Sequence, residues 1–413
     1  MIRRVGAATI ALVLLAYPGM AQQMNTLSHA EREAGWQLLF DGESLDGWRG
    51  YNRPDLPGGW AVEEGLLTRV GPGGDLITEA QFGDFEGMPK WNRRMQVPQQ
   101  SIRDAIISMV SVQGDTEFAS VEQQWHLLDS APTEYDRKSA MRIMCEEQRH
   151  GWQMAYVLCN YFGEHGIREA QKLIERNSGG NPQREEGEAQ RLLGSFNEPI
   201  DHWLDFFMFT HFIDRDGKFQ LKMLSTSSFK PLAASMGPML KEESFHLGTG
   251  ANGIRRIVKQ GVIPCALLQR YINKWTSTGL DLFGVDESTS AQWAYVYGIK
   301  GRYDEREVDT PAVREHLNEE SRMHYFEELK LEMERINKSR HEGEPELYIP
   351  SDKFHRGIGK FAGVHHTTHG EPFEGSDEEW QEYLRGMLPS DEDEATLKEL
   401  FKQEWIQYRE WKG

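Results

Sequence analysis

The stretch Ile143-Met144-Cys145-Glu146-Glu147-Gln148-Arg149-His150-Gly151-Trp152-Gln153-Met154 sets a glutamate and a histidine three residues apart within a helical apolar pattern. Lys241-Glu242-Glu243-Ser244-Phe245-His246 repeats that spacing. A Glu and a His at i and i+3 project from one side of a helix, one turn along, so both reach a single metal ion. Spacing alone is weak evidence. With 65 acidic residues, roughly two of the 14 histidines would carry such a carboxylate by chance, and three pairs occur, the third at Asp352/His355.

Surroundings separate the first two pairs from the third. Ala140, Ile143, Met144, Met154, Val157, Leu158 and Tyr161 form the stripe that holds Glu147 and His150, and Leu232, Met236, Met239, Leu240 and Leu247 flank Glu243 and His246. A carboxylate on such a face must be paired, protonated or bound to metal. Asp352/His355 lies in a Gly-rich arm with no stripe and reads as surface. A two-metal site in a helical bundle needs one further carboxylate from each of two other helices. Glu117 lies thirty residues before Glu147, and Asp214 twenty-nine before Glu243; each shares a face with apolar residues. Glu122, Glu198, Asp205 and Asp216 compete for these two places.

Outward from this centre, helical periodicity predicts helices near 101–128, 134–162, 165–176, 199–225, 231–247, 311–338 and 376–410. Residues 341–375, rich in Gly, Pro and His, read as an extended arm. Before residue 87 the character changes: Gly and Asp turn dipeptides between short apolar runs such as Trp60-Ala61-Val62 read as strands and loops. Arg3 and Arg4 before an apolar run from Val5 to Ala16, then Gly19-Met20-Ala21, form a signal-peptide pattern with cleavage after Ala21. The expected organisation is therefore a signal-like segment 1–21, a partial β-rich segment 22–86, a helical domain 88–340, and an arm with C-terminal helices over 341–413.

Of 413 residues, 38% are hydrophobic and 27% charged, a globular composition, and the net charge of -19 argues against non-specific nucleic-acid binding. Arg255/Arg256/Lys259 and Lys300/Arg302 are the basic clusters available to an anionic cofactor. Three cysteines, Cys145, Cys159 and Cys265, cannot build a disulfide framework and suit a reducing compartment. That conflicts with the signal-like start. Gly248-x-Gly250-x-x-Gly253 matches a dinucleotide fingerprint formally but follows a helix rather than a strand, and His365, His366 and His369 in a polar loop read as solvated.

Gly114-Asp115-Thr116-Glu117, Ala119-Ser120-Val121-Glu122-Gln123-Gln124, Glu146-Glu147-Gln148-Arg149-His150, Phe206-Phe207-Met208-Phe209-Thr210, Asp214-Arg215-Asp216-Gly217-Lys218 and Phe354-His355-Arg356-Gly357-Ile358-Gly359 together resemble the oxygenase component of benzoyl-CoA 2,3-epoxidase, from about residue 88 to the C-terminus. Phenylacetyl-CoA epoxidase is a more distant relative. The resemblance implies a mainly α fold built on a ferritin-like four-helix bundle, with Glu117, Glu147, His150, Asp214, Glu243 and His246 as ligands of two iron ions. It further implies insertion of one atom of O2 into an aryl-CoA thioester, with electrons from a separate NADPH-dependent reductase, since no flavin, nicotinamide or iron–sulfur motif is visible. Leu39-Phe40-Asp41-Gly42 and Leu45-Asp46-Gly47-Trp48 resemble the opening of a 3-keto-disaccharide hydrolase domain for about fifty residues. That segment takes the place of the epoxidase family's N-terminal helical region, so the chain reads as a hybrid of two genes. A ferritin-like storage protein and an exported carbohydrate-interacting protein are the rival readings; cytosolic thioesters and reductant favour the cytoplasm.

Overall fold

The computed structural model describes residues 25–29, 32, 38–50, 55–73, 76–78, 90–97, 99–178, 191–288, 291, 294–295, 297–301 and 317–401. The signal-like segment 1–21 and Arg302 lie outside them. The chain divides into two compact units, one holding the described residues before 87 and the other those after 88.

In the first unit the strands pair as two separate antiparallel ribbons. Strand β1 (Trp48–Gly50) pairs with β4 (Leu76–Thr78), and β2 (Trp60–Glu63) with β3 (Leu66–Arg69) in the register Trp60 to Arg69 and Glu63 to Leu66. The β2–β3 hairpin turns on Glu64 and Gly65, both at positive φ, the backbone that a two-residue hairpin loop demands. Two-stranded ribbons bury little, and Leu66 stays largely exposed.

The second unit is helical. Its long elements are α1 (Gln100–Gln124), α2 (Glu134–Tyr161), α3 (Gly163–Ser178), α4 (Trp203–Leu224), α5 (Lys230–Gln260), α6 (Cys265–Leu282) and α7 (Leu317–Asn337), followed by α8 (Asp377–Met387) and α9 (Asp391–Leu400). Caps mark the starts: Thr133 accepts from the Asp136 amide, and Ser376 and Ser390 each form a capping box. Two expectations change. The segment expected over 376–410 is broken at Leu388-Pro389, because proline supplies no N–H to continue the helix. The segment expected to end at 247 runs on to Gln260 and stops at Gly261, whose φ of 67° is the left-handed conformation of a helix C-terminus.

That longer α5 reassigns the Gly248-x-Gly250-x-x-Gly253 run. It lies mid-helix and serves packing, not nucleotide binding. A Cβ on Gly253 would sit 2.1 Å from the Phe207 ring, and one on Gly250 would meet the His211 backbone nitrogen at 2.6 Å and the Phe207 carbonyl oxygen at 2.9 Å. The α4 and α5 backbones are thus in near contact, which sets Asp214 opposite His246 one to two turns further on. On the other pair, α1 and α2, Phe118 fills the space above Gly151, next to His150.

Buried apolar residues form two main clusters in this unit. One gathers Ile143 and Met144 of α2, the Phe-rich start of α4, Ile254 and Ile257 of α5, and much of α6 and α7. The other gathers Ile106 and Val110 of α1, Met154 and Leu158 of α2, Leu221 of α4, and Leu232, Met236 and Met239 of α5. Along α2, α4 and α5 the chain passes from one cluster to the other through the acidic and histidine residues. A polar layer is sandwiched between two apolar ones.

Gly250→Ala is expected to lower stability by about 1–3 kcal/mol, although alanine is the better helix former, because backbone atoms cannot yield to the new methyl. Gly248 has nothing within 4 Å of its would-be Cβ, so Gly248→Ala should stabilise by about 0.5–1 kcal/mol. Denaturant unfolding of both variants checks the contrast.

Candidate metal centre

Six residues from four helices meet in the polar layer: Glu117 from α1, Glu147 and His150 from α2, Asp214 from α4, Glu243 and His246 from α5. None is more than 9% exposed. Their ligating atoms form two triads, Glu117/Glu147/His150 and Glu147/Glu243/His246, with the atoms of each within 4.8 Å of one another and Glu147 common to both. Asp214 enters through His246, whose Nδ1 lies 3.8 Å from its Oδ2, 3.6 Å from Glu243 Oε2 and 3.0 Å from Glu147 Oε1.

The two halves are built alike and cross-braced. His150 directs Nδ1 inward, 3.3 Å from Glu117 Oε2, and its Nε2 lies 2.6 Å from Glu242 Oε2 on α5. His246 directs Nδ1 into the acidic group, and its Nε2 lies 3.0 Å from Glu146 Oε2 on α2. The glutamate four residues before each histidine therefore holds the histidine of the other helix. An arginine completes each chain: Arg142 pairs with Glu146 and Arg149 with Glu242. Gln113, one turn before Glu117, donates its amide to Glu117 Oε1 at 2.6 Å; its i, i+4 spacing was legible in the sequence but went unread.

Charge is the problem that this layer must solve. Burial, with the nearby Glu117 charge, pushes the Glu147 carboxyl well above its usual range, and burial beside Glu243 does the same to Asp214. Burial opposes the charge on His246, but Glu243 and Glu147 outweigh it and raise its pKa well. Left to themselves, these groups hold protons. Asp214 Oδ2, Glu243 Oε2 and His246 Nδ1 nevertheless make no hydrogen bond although buried, a combination expected of groups whose partner is a cation. Four carboxylates also balance two divalent ions in charge, so the donor set fits a dinuclear metal group.

The competing acids have other work. Glu122 is held with Asp115 by the buried Arg191, and Asp205 accepts from Trp275 Nε1 at 2.9 Å. Burial raises the Asp216 carboxyl to about 7. Glu198 is half-buried, and its backbone carbonyl accepts from Gln123. His202, Asp205 and Glu394 also converge, but His202 Nδ1 accepts the Asp205 amide as a helix cap at 3.1 Å. The ring proton is then on Nε2, facing Glu394 at 3.1 Å, so this histidine donates rather than ligates. Asp352 and His355 are exposed. His365 stacks on Trp380 and His369 on Tyr348, while His366, expected to be solvated, is buried against Phe361. Arg256 of the expected basic cluster is spent on buried Asp136.

A cavity of about 620 Å³ opens between α1 and α4 beside the layer. Ala105, Met109, Val112, Phe196 and Ile213 give it apolar walls, Asp216 and Lys300 bring charge, and Gln113 lines it while holding Glu117.

Over 364 aligned residues the chain is 34% identical to the benzoyl-CoA oxygenase component B of Aromatoleum evansii, covering 77% of this chain and 74% of that one. The chain belongs to this family. Residues 35–191 also match the profile of the 3-keto-alpha-glucoside-1,2-lyase-like domain. An 80-residue stretch is 32% identical to the 3-keto-disaccharide hydrolase of Bacteroides thetaiotaomicron, covering 17% of this chain and 28% of that protein.

His211, one turn before Asp214, is fully buried with neither ring nitrogen hydrogen-bonded. Burial, with the Arg215 and Arg255 charges, holds its pKa well below the ordinary 6.5. A histidine depressed in the folded state contributes stability that is complete above the unfolded value and is lost as pH falls beneath it. His211→Phe should therefore flatten the loss of stability below pH 6.5 by up to about 1.4 kcal/mol per pH unit, the slope that one proton carries. Urea unfolding at pH 5.5 and 7 measures it.

Proposed function

We propose that this chain is a di-iron oxygenase that inserts one atom of O2 into the ring of an aryl-CoA thioester, turning benzoyl-CoA into its 2,3-epoxide. The observation that carries this reading is the six-residue layer with a largely apolar cavity beside it, linked to it by Gln113, which lines the cavity and bonds Glu117. Glu117, Glu147, His150, Asp214, Glu243 and His246 would hold the two iron ions. When bound, the irons supply the activation of dioxygen; the protein sets where that chemistry happens.

Glu242 and Glu146 accept the Nε2 protons of His150 and His246, so each ring presents its Nδ1 lone pair to the centre, the outer support that fixes tautomer and orientation at metal sites. Arg149 and Arg142 hold those two glutamates in place, and against the cost of burial the Arg149 and His150 hydrogen bonds bring the Glu242 carboxyl below its usual range. The cavity falls within the usual size of a small-ligand pocket; its apolar wall of Ala105, Met109, Val112, Phe196 and Ile213 suits an aromatic ring, and Gln113 ties the cavity wall to a proposed ligand. A wall of this kind serves a substrate and has no use in iron storage, which favours the oxygenase over a ferritin-like reading. Electrons would come from a separate NADPH-dependent reductase, and the partner component implied by the name of the A. evansii protein supports this. Three free cysteines, Cys145, Cys159 and Cys265, support a reducing compartment, and among the described residues no helix is long and apolar enough to cross a membrane.

Anaerobic loading should give two irons per chain, and reduced protein should consume oxygen when benzoyl-CoA is added. Glu147→Ala and His246→Ala are each expected to lose iron and product; two irons with normal epoxide in either would sink the assignment. Glu146→Gln and Glu242→Gln keep shape but weaken the imidazole support, so iron affinity by chelator competition should drop about 10–100-fold.

A further inference from the structure

The outward face of α2 stands apart from the rest of the surface. From Met141 to Asn160 it exposes Arg142 and Arg149 beside Met141, Trp152 and Tyr156; no carboxylate is exposed along that length, and the glutamates paired with the two arginines, Glu146 and Glu242, lie half-buried beneath them. The whole chain carries a net charge of -19, so a helix face of cations and half-exposed large apolar groups is a local reversal of character. Met141 is 49% exposed, Trp152 47% and Tyr156 60%. Beneath them a nearly all-apolar groove of about 540 Å³ runs between α2 and the end of α1. An apolar patch with a charged rim marks a site of protein association.

This face also lies directly over the metal-binding layer. Trp152 meets the buried Phe118 edge to face, with ring centroids 5.9 Å apart, and Phe118 is the neighbour of Glu117. Arg149 bonds Glu242, which bonds His150. One route of contacting side chains thus joins the surface patch to His150 through Arg149 and Glu242, and Trp152 reaches Phe118, which adjoins Glu117 along the chain.

We infer that this face is the docking surface for the separate electron donor, a flavin- or iron–sulfur-bearing reductase with an acidic contact face. The inference rests on the oxygenase reading above. Each O2 that gives one atom to the ring and the other to water consumes two electrons and two protons, and the chain carries no motif for an electron-donating cofactor. The donor, oxidised by two electrons per turnover, must come close to the layer. The Arg142 and Arg149 guanidinium groups, half exposed above the glutamates that pair with them, turn the positive end of each pair outward toward an acidic partner; the apolar groove provides the contact that holds it.

The test uses the full chain with a reductase that drives its NADPH-dependent oxygen uptake. Met141→Glu and Tyr156→Glu alter the face without touching the six-residue layer or its supports. Each is expected to raise the half-saturating reductase concentration at least about tenfold, and to weaken binding of the same reductase to the iron-free chain as much. Iron content and turnover driven by dithionite-reduced methyl viologen should stay at wild-type levels. Unchanged half-saturation and binding in both variants would overturn the inference, as would a wild-type dimer in sedimentation that these substitutions dissociate, since the face would then belong to a second copy. Absence of chemically driven, benzoyl-CoA-dependent oxygen uptake in the wild type would overturn the proposed function itself, and the docking role with it.

Discussion

Four carboxylates and two imidazoles buried in one layer of a helical bundle are the constraint on which the rest of this unit depends. Unpaired buried charge is costly enough that groups neutralise or find a partner. Here the partners are incomplete: Asp214, Glu243 and His246 each keep a buried polar atom without a hydrogen bond. The apolar clusters on both sides must therefore overcome the cost of keeping the layer together. The Phe-rich start of α4 and the aromatic core of α6 and α7 supply much of that burial.

Geometry follows from the same constraint. Helices must approach closely for side chains as short as Asp214 to reach a shared centre, and glycines make this possible where α5 meets α4 and where α2 meets Phe118. Crossed Glu–His pairs then lock α2 to α5 at two points. Because each brace runs from one helix to the other, turning either helix about its axis would break both histidine supports together. The layer is held as a unit, not as two independent halves.

Much of this was legible in the chain, for identifiable reasons. The Glu-x-x-His spacing, the apolar stripes and the near-equal intervals back to Glu117 and Asp214 are local or periodic signals, and helix geometry turns them into positions in space. Asp205 could be told from Asp214 only once Trp275, some seventy residues away, was seen to bind it. The crossing of Glu146 and Glu242 was hidden for a similar reason: i, i+4 spacing points each to its own helix, whereas the ring nitrogens it would reach are turned to the other. The end of α5 was misjudged because glycines weaken helix propensity, and the tertiary contact that repays them does not appear in the sequence nearby.

The N-terminal resemblance tests how far likeness in sequence carries a fold. A two-sheet sandwich must cover the inner face of each sheet with the other, yet the strands described before residue 87 form only two ribbons of two, with Leu66 and Leu56 exposed. The lyase-like match continues to residue 191, but from Gln100 onward those residues are α1, α2 and α3. They cannot serve as missing strands, because Glu117, Glu147 and His150 in that stretch face the shared layer only at helical spacing. Where two likenesses overlap, the buried charges decide between them: a helix brings Glu147 and His150 to one side, whereas a strand would send residues three apart to opposite faces.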